Sequence, residues 1–492
     1  MNASFSRRGF FGRAASIVST LCVGALRVPV AFAQDVGGQL GNIAGRIIRR
    51  ADENYELWRA SMVWYIFKPD RFPDTIVRAE SEQDVIEAVN HARETGQKIA
   101  TRATGHNPAR GCLRDGGILL DTSRFRGVEI DADEGTAWVE PGIRSEDFIE
   151  LTRPYGWSFP AAHTGIVGLG GYLIGGGLGW NMPEWDVACR SIIGAEIVLA
   201  DGRKVLATAE ENADLLWAIR GIGPGFFGAV LRYKLQLFPL PRGIFKSKYI
   251  VPMAKTAELM DALGEITAAK QEQLELLVVA GRFAPPDKPP AERDFVWAVS
   301  AVSFGRSEDN GRELLEPVRR SAVPELSIIK KEDALLTYPE LYSGQETDHS
   351  SPNRTAIHNF WTQDPAGALT ALAERWQQTP PRSPRSFALS AWGVNPSPDD
   401  ADSSFTYTGD HYVSWYLMAE QADDVEPNFR WMDESVELLQ PYARGHYPNE
   451  INMQRYPDSI RACFTDEKWQ RLNELRAKYD PQGVFHSWLG FS

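Results

Sequence analysis

Cysteine is scarce in this chain: four residues in 492, with no CxxC pair and no repeated spacing. The sequence therefore offers neither a disulfide framework nor a cysteine-based zinc site, and no metal centre is expected. Basic charge is also short. Fifty-two Lys and Arg stand against 65 Asp and Glu, a net −13, which repels polyanions and sets aside nucleic acid and anionic membrane surfaces as partners. Low-complexity tracts and internal repeats are lacking. No apolar run is long enough for stable membrane insertion. What is present is the composition of a folded globular protein, 43% hydrophobic and 24% charged, in a chain too long for one ordinary core. Two lobes or more are expected.

The mildly apolar stretch nearest the N-terminus has the layout of a leader. "SRRGFF" (Ser6–Phe11) carries paired arginines, "AASIVSTLCVGAL" follows, and "AFA" (Ala31–Ala33) precedes Gln34. That is a charged region, an apolar region and a small-x-small cleavage site. It resembles the twin-arginine (Tat) export signal of bacteria, which implies a protein exported folded, often with its cofactor, to the periplasm or beyond. Residues 1–33 are set aside as this signal. Cys22 goes with it, leaving Cys112, Cys189 and Cys463 as three unpaired thiols.

Along the remaining chain, residues 50–72 read as a helix and loop. "SEQDVIEAVNHARETGQK" (81–98) reads as an amphipathic helix capped by Ser81, with Asp84 at N3 and Gly96 near its end. "IATRATG", "GGILLDT" and "GTAWVEPG" read as strands and "SEDFIELTRPYG" as a helix. From Phe245 the texture changes to long alternating strands ("FKSKYIVPM", "FVWAVSAVSFG", "SFALSAWGV", "HYVSWYLMAE") separated by helices. The expected class is α+β. A first lobe spans 50–244, a second with an antiparallel sheet covered by helices spans 245–445, and a segment 446–492 returns to the first lobe.

Two features carry chemistry. His106 follows a strand-like run inside the turn "TRATGHNPARGC" (101–112), where no regular element packs it. "HTGIVGLGGYLIGGGLGW" (163–180) holds eight glycines within 165–179. Such a run is not expected to be a stable helix, since each glycine costs about 1 kcal/mol there. It lets backbone N–H groups approach phosphate oxygens. The formal GxGxxG at 223–228, "GPGFFG", follows a helix and precedes a strand. That is the reverse of the nicotinamide-binding context.

The turn Arg102-Ala103-Thr104-Gly105-His106, the loop Gly168 to Gly177 and the segment Asp214 to Gly228 together resemble the vanillyl-alcohol-oxidase or PCMH superfamily of FAD enzymes. Within it they resemble the berberine-bridge-enzyme-like branch, and "KYDPQGVF" is similar to that family's closing segment. The resemblance implies a PCMH-type FAD-binding domain with covalent FAD through His106. It assigns cofactor contacts to Arg102, Gly105, Asn107, Thr164, Val167, Gly168, Gly170, Gly171, Gly175, Gly176, Gly177, Gly228 and Asn449. Many relatives carry a second, cysteinyl tether where this chain has Thr164, so a single covalent bond is implied. Val167 matches a position where Val or Ile accompanies oxidases and Leu accompanies dehydrogenases. That points to a small-molecule substrate with O2 as electron acceptor; another electron acceptor, or a non-catalytic FAD-binding relative, stays open.

Relatives use a tyrosine base in a Y-x-N-Y-x-D segment. Here it reads "HYPNEINMQ": Tyr447 and Asn449 match, but Glu450 stands at the base position. A carboxylate can serve as base if burial raises its pKa. Tyr447, Tyr407 and Asp410 are the reserves, and an ion pair of Glu450 with Arg461 or another cation is the structural alternative. His163 and Tyr172, beside the glycine loop, either face the substrate or simply pack. Trp361, Trp392 and Trp415 suit a pocket wall for sugars, phenols or alkaloids.

Overall fold

Ser81 begins the helix Glu82–Thr95 as its sequence requires. The Asp84 N–H donates to the Ser81 hydroxyl, the Ser81 N–H donates back to the Asp84 carboxylate, and Gly96 ends the helix at φ 71°. The computed structural model describes residues 40–284, 287–343, 352–394 and 402–488, and all that follows concerns the unit Asn42–Ser492. The expected leader, 1–33, lies outside the described residues.

β1 (Arg46–Arg49), β2 (Thr75–Arg78), β3 (Ile99–Arg102) and β4 (Ile118–Asp121) form a sheet ordered β1-β2-β4-β3. β2 and β3 run parallel to β4, and β1 is antiparallel at the edge. β1 lies ahead of residue 50, where the first lobe was expected to start; four residues are too few to show a period. β5 (Val128–Asp131), β6 (Thr136–Val139), β7 (Trp157–Ser158), β8 (Ile192–Leu199), β9 (Lys204–Ala207), β10 (Gly228–Gln236) and β11 (Phe238–Pro239) follow. Five of them make an antiparallel sheet, β5-β6-β10-β8-β9, while β7 pairs with β11. Helix Glu82–Thr95 lies between the two sheets. Its Val85, Ala88, Val89 and Ala92 meet Val77 and Leu120 of one and Val198 and Leu231 of the other.

β12 (Gly243–Pro252), β13 (Leu274–Ala284), β14 (Asp294–Gly305), β15 (Ile329–Leu336), β16 (Arg354–Thr362), β17 (Phe387–Ala391) and β18 (His411–Met418) form a third sheet, β15-β12-β14-β13-β17-β18-β16. Every pairing in it is antiparallel. The period of two divides its faces. Leu274, Leu276, Val278 and Ala280 of β13 join a core with Leu259, Leu263 and Ile266 of helix Thr256–Ala269 and Leu369, Leu372 and Trp376 of helix Pro365–Gln378. Glu275, Leu277 and Val279 face the other way, into a cavity. The chain is α+β and two-lobed. Its end lies along β3: Ile99 N–H donates to Val484 O and His486 N–H to Ile99 O.

Three tryptophans expected on a pocket wall are core instead. Trp392 and Trp415 are buried in the helix-side core, and Trp361 packs against Phe405, Tyr407 and Tyr412. Trp415 alternates with Ser414 and Tyr416, so the pleat turns it from the cavity.

Candidate active site

Arg102 ends β3 and fixes the turn after it. Its guanidinium donates to Asp121 Oδ1 at 2.6 Å, to Met62 O at 2.8 Å and to Thr104 O at 3.1 Å. Gly105 has φ 73°, and a Cβ there would sit 2.1 Å from the Met62 carbonyl oxygen, so only glycine fits. The turn delivers His106 half-buried to the cavity wall, its ring 5.9 Å from those of Trp64 and Tyr65. Burial, reinforced by the positive charge of Arg354, pushes the imidazole pKa down to about 3. The ring is neutral at physiological pH and keeps a lone pair. Asn107 spans outward: its amide donates to Asn449 O at 3.3 Å and its oxygen accepts from Ala109 N.

The glycine stretch is docked on this turn by the Gly168 N–H, which donates to Thr104 Oγ1 at 3.1 Å. Contrary to expectation it contains a short helix, Leu169–Ile174. Tertiary contact overrides glycine's poor propensity: Gly170 lies where a Cβ would meet Pro141 and Ala103, and the Tyr233 hydroxyl donates to Gly170 O. Gly171 differs, with open space beside it at the cavity. Thr164, Val167 and Gly168 also line the cavity, as does Gly228 on the opposite turn.

Gly175, Gly176 and Gly177 do not line it. Their missing side chains make room for Asn449, for Phe405 and Tyr447, and for Tyr172 and Ala188 respectively. These three glycines seat protein side chains rather than a ligand. Tyr172 reaches the cavity wall, but its hydroxyl is spent on Pro160 O at 2.6 Å. A tyrosine so engaged packs the loop and is not a proton acceptor.

The segment after residue 445 is clamped by Asn359 of β16. Its oxygen accepts from Tyr447 N at 2.8 Å, and its amide donates to Tyr447 O and Glu450 O. The Tyr447 hydroxyl accepts from Gly177 N and from the Asn449 amide, both at 3.1 Å. Burial, with the Glu450 carboxylate next, pushes its pKa above the ordinary value. Glu450 Oε2 accepts from the Tyr412 hydroxyl at 2.5 Å and from the Tyr416 hydroxyl at 2.9 Å. Both phenols are held well above their ordinary pKa, by burial first and by this carboxylate second. They remain donors. Arg461 instead bonds Phe464 O and Asp466, so the Glu450–Arg461 pair does not form. Tyr407 donates to Asp186 and Asp410 is exposed; neither lines the cavity.

Tyr412, Tyr416 and Arg354, whose guanidinium lies 4.3 Å from the Tyr416 ring centroid, were missed by sequence reasoning. The signal was available: in "HYVSWYLM" Tyr412 and Tyr416 share one face of a strand whose other face carries Trp415. Glu275 was missed too. Buried in β13, it lies 2.7 Å from His163 Nε2 and accepts from Asn181 N. Cys112 reaches the cavity, its thiol pKa raised by burial.

All of this surrounds one cavity of about 910 Å³, large enough for a dinucleotide-sized ligand with a small substrate. One wall is backbone from the 102–108, 168–171 and 223–228 turns; the other is the third sheet. Among the described residues no cluster of His, Cys, Asp or Glu is arranged to hold a metal ion, and no helix is long and apolar enough to cross a membrane.

Residues 73–208 match the FAD binding domain family. The FAD-linked oxidoreductase nodO of Hypoxylon pulicicidum is 28% identical over 419 residues, 84% of this chain and 90% of that protein. The (R)-6-hydroxynicotine oxidase of Paenarthrobacter nicotinovorans is 33% identical over 206 residues, 41% of this chain and 44% of that one. The crystal structure of 6-hydroxy-D-nicotine oxidase from Arthrobacter nicotinovorans superposes with a TM-score of 0.78 at 20% identity, covering 92% of this chain and 98% of that one. The fold of this chain is shared with that structure and with the BBE-like 1 protein of Physcomitrella patens, which superposes with a TM-score of 0.77 at 18% identity over 92% of this chain and 98% of that one. Residues 73–208 thus match an FAD-binding domain, and over most of its length the chain is similar to proteins named FAD-linked oxidoreductases.

Proposed function

We propose that this protein is an oxidase of an alcohol, amine or sugar-type small molecule, carrying FAD covalently through His106 and returning electrons to O2 as H2O2. Bound FAD supplies the two-electron acceptor. The residues fit it: Gly171 opens onto the cavity without a protein neighbour, and the 102–108 and 223–228 turns offer backbone along the same wall. The neutral His106 imidazole, whose lone pair burial protects, is the group for the tether. Thr164 has no thiol, so one tether is assigned. Val167 at the wall supports oxygen access.

The observation that carries the chemistry is the double hydrogen bond to Glu450. A carboxylate fixed by two phenols has one orientation, and Glu450 is the proton acceptor for the substrate's hydroxyl or amine. Tyr412 and Tyr416 hold it in place, and the Asn359 clamp fixes the segment that bears it. We further assign 50–244 with 446–492 to the flavin domain, 245–445 to the substrate domain, and residues 1–33 to Tat-type export to the bacterial periplasm or exterior.

A panel of alcohols, amines and sugars, followed anaerobically by flavin bleaching and in air by peroxide release, tests the reading. A substrate that bleaches the flavin and yields peroxide is expected. Bleaching without recolouring in air would make the protein a dehydrogenase, and no bleaching with any compound would overturn catalysis.

A further inference from the structure

The cavity inverts the charge of the chain that encloses it. Eight Lys and Arg line it against two carboxylates, Glu275 and Glu450, in a protein of net −13. Arg102 and Arg114, on the flavin side, are committed: Arg102 to Asp121, Arg114 to Gly111 O and Ser487 O. The other six come from the second lobe, on the wall opposite the glycine turns. Among them Lys246, half-buried, and Lys248, exposed, share one face of β12, and their ammonium groups make no ion pair or hydrogen bond with a described residue. Beside Lys248 on β14 is Ser300, whose hydroxyl also has no partner among the described residues.

The sheet register connects this corner to the catalytic one. Lys248 pairs with Ser300, Ser300 with Leu277, Leu277 with Ala391 and Ala391 with Tyr412, the donor to Glu450. One transverse row thus runs from a cation, over Ser300 and two apolar residues, to the tyrosine that donates to the proposed base. Its Cα ends lie about 19 Å apart, four strand spacings, and the side chains at both ends rise from the same face of the sheet into the cavity.

Resting on the oxidoreductase reading above, we propose that Lys246, Lys248 and Ser300 form an oxyanion subsite, selecting substrates with an apolar body and an anionic group at the end remote from the oxidised carbon. The half-buried Lys246 ammonium, two positions from the exposed Lys248 on one strand face, is pushed below the ordinary lysine pKa, by burial first and by the Lys248 charge second. Glu275 offsets part of this at Lys246, while the like charge of Lys331 lowers Lys248. A bound oxyanion relieves both effects.

The test is calorimetric titration of the flavin-loaded full chain with 4-phenylbutyrate, 4-phenylbutyramide and 3-phenylpropyl phosphate. Both anions are expected to bind at least about tenfold tighter than the amide, the scale of a charged hydrogen bond. Their ranking tells carboxylate from phosphate. The double variants Lys246→Ala/Lys248→Ala and Lys246→Met/Lys248→Met, the second keeping apolar stems, should lose this preference while amide affinity and the flavin spectrum stay unchanged. Equal binding of acid and amide, a preference that survives both double variants, or no binding at all overturns the subsite. Substrate bleaching of the flavin is read separately, so a protein that bleaches yet ignores charge loses only the subsite.

Discussion

The Tyr412 hydroxyl donates to Glu450 Oε2 over 2.5 Å, joining the last strand of the second lobe to the segment that follows residue 445. Tyr412 is inward-facing by strand alternation, and Glu450 is fixed by Asn359 through main-chain bonds. The pair therefore has its geometry before any substrate arrives, which is what a positioned base requires.

Glu450→Gln keeps the shape and both tyrosine contacts but cannot take a proton. It is expected to lower kcat by about 10²–10⁴ with FAD content unchanged. Tyr412→Phe and Tyr416→Phe each leave one donor and should cost about tenfold or less. Stopped-flow flavin reduction reads all three; a fully active Glu450→Gln protein removes the base assignment.

For the tether, acid precipitation should carry yellow flavin with the wild-type polypeptide, and mass spectrometry should find it on the peptide containing His106. His106→Ala should release FAD into the supernatant. Flavin freed equally from both proteins would rule out the bond.

Glycine substitutions separate ligand contact from protein contact. Gly171→Ala meets no neighbour and lies in a helix, so flavin-free stability should hold or rise by up to about 1 kcal/mol while FAD loading falls. Gly105→Ala places Cβ 2.1 Å from Met62 O at φ 73°; the backbone strain alone is about 1–3 kcal/mol. Denaturant midpoints with and without FAD distinguish the two.

Acid should weaken the end of the chain. The His486 pKa is pushed down from 6.5 to about 4, by burial first and then by Arg114, Lys98 and Arg476. Below pH 6.5 the unfolded chain binds a proton that the fold refuses, so stability is full above that value and falls as pH drops toward 4. His486→Gln should flatten this decline in denaturant midpoints measured between pH 7 and 4. An unchanged slope would show that His486 does not carry it.

Local order in this protein was written in the sequence. The Ser81 capping box, the alternating strands after Phe245 and the glycine-flanked His106 depend on neighbours a few residues apart, and the fold class follows from their periods. Contacts across hundreds of residues were decided by tertiary structure alone. Gly175–Gly177 looked like a ligand cradle because glycine announces only close approach; which partner approaches is settled by Asn449, Phe405 and Tyr447. Trp361, Trp392 and Trp415 looked like a pocket wall because aromatic character does not reveal which face of a pleat it occupies. Glu450 was legible as the odd residue in a motif, but its two phenol donors come from 38 and 34 positions earlier, and only the closing of the sheet over that segment brings them within bonding distance.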